Sequence, residues 1–271
     1  MECYNQPIVL NGTFYFASDF HLGSPNETES KARELLLIKW LDEIKKDASY
    51  LFLLGDIFDF WFEYHDVIPK GYYKFLTKLA ELREAGIQIW WFTGNHDMWL
   101  KNYLHNELNI NIIRKETLFI LNGKHCLIGH GDGLGDGDFG YKLIKVIFAF
   151  RFNQWLYGWF HPRIAFAIAR FFSRKSRAMT GAGEEVYAGN DKELIVQHAY
   201  NILQHNDIEY FIYGHRHLPL EVKLTDKATY FNCGDWIMHY TYLKMNIDGN
   251  IELFTNPHYP KHIPQSSFGE E

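Results

Sequence analysis

The sequence predicts an α/β fold carrying a helical insertion. Short β-branched and aromatic runs alternate with longer stretches of helical period. Five of the short runs end in Asp, Asn or His, mostly beside Gly, and one later segment is far more aromatic and basic than the rest. Hydrophobic residues make up 47% of the 271 and charged residues 22%, which excludes a disordered chain, a collagen and a small disulfide scaffold. No internal repeat or low-complexity tract divides the chain, so residues 1–271 are expected to form one domain.

The elements follow in order. A strand over Thr13–Ser18 ends on Asp19-Phe20-His21, and a helix over Glu29–Asp47 presents Leu35, Ile38, Leu41 and Ile44 on one face. A strand over Tyr50–Leu54 runs into Gly55-Asp56-Ile57-Phe58-Asp59. A helix over Gly71–Ala85 then leads to a strand over Ile87–Thr93 and the tip Gly94-Asn95-His96-Asp97. The strand Lys124–Ile128 ends in Gly129-His130-Gly131-Asp132. A helix over Asp191–Gln204, capped by Asn190, precedes the strand Glu209–Tyr213 and its tip Gly214-His215-Arg216-His217. Strands over Ala228–Asn232 and Tyr240–Ile247 have no helix before them, so the last three strands are predicted to be antiparallel. The polar, Pro-containing tail from Asn256 reads as a loosely held end.

Residues 139–183 stand apart. They hold eight basic residues and no acidic one in a chain of net charge −6, with twelve aromatics between Phe139 and Thr180. Apolar positions recur at helical spacing, so two or three amphipathic helices are expected here as a lid inserted in the domain. The Gly-rich run before it is no calcium loop, because Leu143 stands where that loop needs a bidentate Glu; a hinge is the plainer reading.

The overall charge does not suit wrapping nucleic acid, and no such partner is expected. Cys3, Cys126 and Cys233 show no CxxC spacing and read as thiols in a reducing compartment. The first residues lack a secretory pattern. Val146–Phe172 is interrupted by Arg151, Arg163 and Arg170, so no span is expected and the protein reads as cytoplasmic.

Ligands of open α/β sheets collect outside the carboxyl ends of the strands, so the five tips should converge. Two divalent ions need a bridging carboxylate and several N and O ligands around each. Asp56 is the natural bridge. Asp19, His21 and one of His215 and His217 complete one site, and Asn95, His130 and the other His complete the second. Imidazole, carboxylate and amide without thiolate suits Mn, Fe or Zn. His96 cannot easily be a ligand beside Asn95. It is expected to stabilise the transition state or protonate the leaving oxygen, with Asp97 orienting its ring, and Asp59 is expected to support the ligands from behind.

The order Asp-x-His, Gly-Asp-x-x-Asp, Gly-Asn-His-Asp, Gly-His-Gly-Asp, Gly-His-x-His resembles the calcineurin-like metallophosphoesterase superfamily from Asp19 to His217. The resemblance implies a β-sandwich flanked by helices with two metals at one edge. It also implies that Asp19, His21, Asp56 and His217 hold the first metal and Asp56, Asn95, His130 and His215 the second. Within the superfamily, the helical insertion after His-Gly-Asp and the late Gly234-Asp235-Trp236 resemble the UDP-2,3-diacylglucosamine hydrolase family of lipid A biosynthesis. That likeness implies cleavage of a UDP-linked diacyl sugar to the lipid monophosphate and UMP, with Mn as the usual metal, at the inner face of the inner membrane. The well-known branch of that family has Arg where this chain has His96, so the chain reads as a distant branch.

So aromatic and basic a lid suits an amphiphilic anionic substrate and an anionic membrane surface. Arg170, Arg174, Lys175 and Arg177 are the candidates for diphosphate or lipid contact, and Asn95 and His96 are expected to touch substrate too. Two other readings are a phosphodiesterase or phosphatase for a soluble ester, whose lid is only a subdomain, and a silent membrane-binding protein. The second fails to explain a full ligand set.

Overall fold

The computed structural model describes residues 6–135, 139–180 and 186–258, with the side chains of Phe139, Arg170 and residues 174–180 also left undescribed. Two six-stranded sheets pack face to face. The first half of the chain builds one of them from β2 (Phe14–Ala17), β3 (Tyr50–Leu53), β4 (Gln88–Phe92) and β5 (Asn111–Ile113), after a short β1 (Ile8–Leu10). These four strands are parallel neighbours, joined by α1 (Glu27–Ile44), α2 (Tyr73–Glu84) and α3 (Tyr103–Leu108). β6 (Thr117–Leu121) and β7 (Lys124–Ile128) open the second sheet as an antiparallel pair.

After β7 come three inserted helices, α4 (Phe139–Ala149), α5 (Arg151–Tyr157) and α6 (Pro162–Thr180), and then α7 (Leu194–Leu203). The chain ends with β8 (Tyr210–Tyr213), β9 (Pro219–Lys223), β10 (Thr229–Cys233), β11 (Thr241–Met245) and β12 (Ile251–Thr255). The strand orders are β12-β11-β2-β3-β4-β5 and β1-β6-β7-β8-β10-β9.

The central strands β2, β3 and β8 are entirely apolar or aromatic because both their faces are covered. Along β2, Phe14 and Phe16 point between the sheets. There they meet Phe52 and Phe92 of their own sheet and Phe119, Ile128, Ile212 and Phe231 of the other. Tyr15 and Ala17 point outward, where Leu37, Trp40 and Leu41 of α1 and Phe75 and Leu79 of α2 cover them. On the opposite flank α7 lays Ile195, Val196 and Ala199 on Leu127, Phe211 and Tyr213. Each such side chain contributes about 1.5–3 kcal/mol by leaving water.

Three expectations need correction. Of the predicted stripe on α1, Leu41 and Ile44 are buried and Ile38 is half-buried, but Leu35 is exposed, and Arg33, Leu37 and Trp40 join the buried face. The helix rolls to seat Trp40 against Phe20 and Trp236. The last strands are not one antiparallel run: β8 and β10 are parallel, because the unpredicted β9 lies outside them as an edge strand that starts on Pro219, where no ladder N–H is needed. The strand after β10, β11, crosses to the other sheet. Asn190 does not cap α7, whose cap position is Glu193, with a carboxylate drawn away to Arg216. The predicted loose tail lies, from residue 259 onward, outside the described residues.

Candidate metal centre

Six parallel strands, β2, β3 and β4 in one sheet and β7, β8 and β10 in the other, deliver their carboxyl ends to one edge of the sandwich. The backbone there is strained. Asp19, His21, Asp56, His215 and His217 all have left-handed φ, between 42° and 66°, which costs about 1–2 kcal/mol for each non-glycine residue. Such strain persists where the surroundings over-determine it, and it concentrates at functional sites.

Glycines permit the approach. An added Cβ on Gly94 would lie 2.1 Å from Asp56 Oδ1, and one on Gly55 would lie 2.5 Å from His130 Nδ1. From α1, the buried Arg33 donates to the carbonyl oxygens of Phe20, His21 and Ser24 at 2.9–3.1 Å, holding the first tip from behind. No motif pointed to that arginine.

The ligand atoms fall into two groups that meet at Asp56. Donor atoms of Asp19, His21 and His217 lie within 4.8 Å of one another, as do those of Asp56, His130 and His215. Asp56 Oδ2 is 3.8 Å from His21 Nε2 and 3.5 Å from His130 Nε2, so one oxygen faces both groups. Its Oδ1 accepts the backbone N–H of His96 at 2.8 Å. Asn95 Oδ1 lies 3.2 Å from His130 Nε2 and completes the second group.

The donor set fits cations. His130 Nδ1 donates to the Leu54 carbonyl at 2.7 Å and Nε2 faces the Asp56 and Asn95 oxygens; burial lowers this ring but the Asp56 carboxylate outweighs it and raises it to about 10, so a cation at Nε2 would take the place of a proton. In the first group Asp19 Oδ1 is buried without a hydrogen-bond partner, 3.3 Å from His217 Nε2. His21 Nε2 and His217 Nε2 face each other at 3.2 Å. Buried carboxylates and imidazoles crowded this closely need positive charge among them, which protons supply here and a cation could supply in their place.

Charge tells the same story. Burial raises the carboxyls of Asp19 and Asp56, but His217 and His21 beside the first, and His130, His96 and His21 beside the second, outweigh it and hold both below the usual range. Burial, together with the neighbouring His130, pushes His215 down to about 4, so its ring is neutral at pH 7 and offers a lone pair.

The remaining predicted residues are placed as follows. His96 lies at the rim of the first group, its ring 4.7 Å from that of His21. Its orienting partner is not Asp97: His96 Nδ1 donates to the Asp59 carbonyl at 2.9 Å. Asp97 is fully buried and accepts the amides of Gly94 at 2.7 Å and Ile57 at 3.0 Å, tying two tips together. Asp59 Oδ1 is 3.7 Å from His21 Nδ1, and donor atoms of His21, Asp59 and His96 form a third cluster within 4.8 Å of one another. It also accepts the Ser173 hydroxyl of α6 at 2.9 Å, a link that sequence alone did not suggest. Asp132 is held by Tyr141 and Lys145 of α4. The side chains of Arg170, Arg174, Lys175 and Arg177 lie outside the described residues.

A sequence model described as calcineurin-like phosphoesterase matches residues 12–219. A UDP-2,3-diacylglucosamine hydrolase from Porphyromonas gingivalis is 33% identical over 86% of this chain and 94% of its own. A protein of the same name from Yersinia pseudotuberculosis is 28% identical, covering 89% and 98%. Among solved structures, a dimetal phosphatase from Danio rerio superposes with a TM-score of 0.46 at 13% identity, covering 90% and 99%.

Proposed function

Because the chain belongs to the calcineurin-like phosphoesterase family, we propose that it hydrolyses the diphosphate of UDP-2,3-diacylglucosamine, releasing 2,3-diacylglucosamine 1-phosphate and UMP in lipid A biosynthesis. The substrate class rests on the names of the relatives and on one observation. A cleft of about 570 Å³ opens beside Asp59, between the loop after β3 and α6. Phe60, Val67, Ile68, Tyr72 and Phe166 give it apolar walls, and Lys70 and Arg163 supply cations. Apolar walls with two cations beside a metal-ligand cluster suit a substrate with acyl chains at one end and a diphosphate at the other.

Asp19, His21, Asp56 and His217 would hold one ion, and Asp56, Asn95, His130 and His215 the second, with Mn the first choice and Fe or Zn the alternatives. When bound, the pair supplies Lewis acidity to the phosphoryl oxygens and makes a water acidic enough to attack phosphorus near neutral pH. The chain's own groups do the rest. His96 has Nδ1 committed to the Asp59 carbonyl, so Nε2 is its atom for substrate. Once the anionic diphosphate favours the imidazolium, Nε2–H donates to a phosphoryl or leaving oxygen. Asp97 supports this only through the backbone, by fixing the Gly94 tip.

We read residues 139–183 as a lid. Leu143, Phe150, Phe152, Trp155, Trp159, Phe171 and Phe172 are all exposed on it, an apolar surface larger than a soluble fold normally leaves bare. No helix among the described residues is long and apolar enough to cross a membrane. The reading is therefore a protein lying peripherally on the inner face of the inner membrane, with Arg170, Arg174, Lys175 and Arg177 as further candidates for anionic contact.

The test is hydrolysis of UDP-2,3-diacylglucosamine in detergent with Mn, resolving the nucleotide, beside a soluble chromogenic diester. UMP release strongly favouring the lipid is the expected outcome. Turnover of the soluble ester alone would keep the metal chemistry and overturn the substrate.

A further inference from the structure

We propose that Asp235, in the turn after β10, is a positioning residue that fixes the metal-binding tautomer of His217 and makes the Asp19–His21–His217 group the tighter of the two cation sites. The inference rests on the metal-centre reading above.

The two carboxylate oxygens of Asp235 have different tasks. Oδ1 accepts the backbone N–H groups of Ile237, Met238 and His239, at 3.3, 2.9 and 2.9 Å, and so caps its own turn. Oδ2 is 3.4 Å from His217 Nδ1, on the side of the ring away from the ligand cluster, while His217 Nε2 lies 3.3 Å from Asp19 Oδ1. A carboxylate behind Nδ1 keeps the proton on that nitrogen, leaves the Nε2 lone pair for a cation and raises the basicity of the ring as a ligand.

The scaffold leaves Asp235 little freedom. Gly234 before it has φ of 70°, with Thr241 Oγ1 2.3 Å from where a Cβ would be. Trp236 after it is fully buried against Phe20 and Trp40 and donates its backbone N–H to the Asp19 carbonyl at 3.2 Å. A position held on both sides is what a supporting carboxylate needs to hold an imidazole in one orientation.

The two cation groups differ in what stands behind their histidines. His217 is backed by Asp235 and His21 by Asp59, two carboxylates. His130 is backed by the neutral Leu54 carbonyl, and the buried Asp132 carboxylate whose charge acts on His130 and His215 is already paired with Lys145 at 2.6 Å. The extra negative charge favours cation binding at the first group.

The division of labour makes Asp235→Asn a clean probe. Its amide oxygen can keep the cap, while its NH2 replaces Oδ2 and opposes an Nδ1–H, favouring the tautomer whose Nε2 carries hydrogen and cannot ligate. Mn alone is titrated into the metal-stripped chain, read by calorimetry and by the Mn electron paramagnetic resonance signal. The parent is expected to take two ions in two resolved steps. In D235N the tighter step should weaken by about 10- to 100-fold, the weaker step should persist, and the melting temperature of the stripped protein should match the parent's. If D235N does not fold, Asp235→Ser, whose hydroxyl can cap the same turn without facing Nδ1, should show the same selective loss. Two-ion binding with parental affinity in either variant would overturn this inference alone. A parent that takes up no Mn would overturn the metal-centre reading and this inference with it.

Discussion

Replacing Gly94 with Ala adds one methyl group where three strand tips meet. Its Cβ would lie 2.1 Å from Asp56 Oδ1, 2.6 Å from Asp56 N and 2.8 Å from Asp56 Cγ. Carbon needs more than 3 Å from such atoms, so the tips after β3 and β4 must separate by about 1 Å, an overpacking cost of about 1–3 kcal/mol. The separation pulls on the His96 N–H that donates to Asp56 at 2.8 Å and on the Asp97 carboxylate that accepts Gly94 and Ile57 amides. For a domain of this size the melting temperature should fall by about 2–4 °C per kcal/mol. Displacing the shared carboxylate by that distance should lower turnover by about 100-fold. Calorimetric melting, Mn stoichiometry and UMP release measure the three effects. Gly140→Ala, at a helical position where an added Cβ meets nothing within 4 Å, should instead gain about 0.5–1 kcal/mol. A G94A protein with parental stability, two bound ions and full turnover would refute the close-approach argument.

Three further outcomes are expected. His96→Gln should lower kcat by about 100-fold or more while Mn uptake stays at two ions, because the contact to Asp56 comes from the backbone of residue 96; full turnover would remove His96 from the chemistry. Ser173→Ala withdraws a buried donor from Asp59, a loss of about 1–3 kcal/mol, so amide exchange in α6 should quicken by about tenfold per 1.4 kcal/mol; unchanged exchange would mean that this hydroxyl does not hold α6 down. Trp155 and Trp159 are 57% and 73% exposed, and an indole leaving water gains about 1–2 kcal/mol. The double change to Glu should therefore reduce sedimentation with anionic phospholipid vesicles more than tenfold, and undiminished binding would sink the membrane-facing role of the lid.

What the sequence determined by itself is whatever depends on residue type at short range. Alternation of apolar runs with helical periods made the layered α/β architecture legible. Gly-flanked Asp, Asn and His after those runs made the ligand set legible too, because carboxyl ends of parallel strands must share an edge. Tertiary structure decided what hangs on distant partners. Leu35 and Trp40 both suit a helix, and only the pocket around Phe20 and Trp236 selects Trp40 for burial. β9 is short and starts on Pro, so its place outside β10 comes from the pairing rather than from its own pattern. His96 and Asp97 are neighbours in sequence, yet one reaches the Asp59 carbonyl and the other two backbone amides. Ser173 meets Asp59 across 114 residues, and Asp235 meets His217 from a different turn of the same sheet. Periodicity and composition carry no information about such pairs, because an acceptor finds its donor through the packing of whole sheets and helices and not through its spacing along the chain.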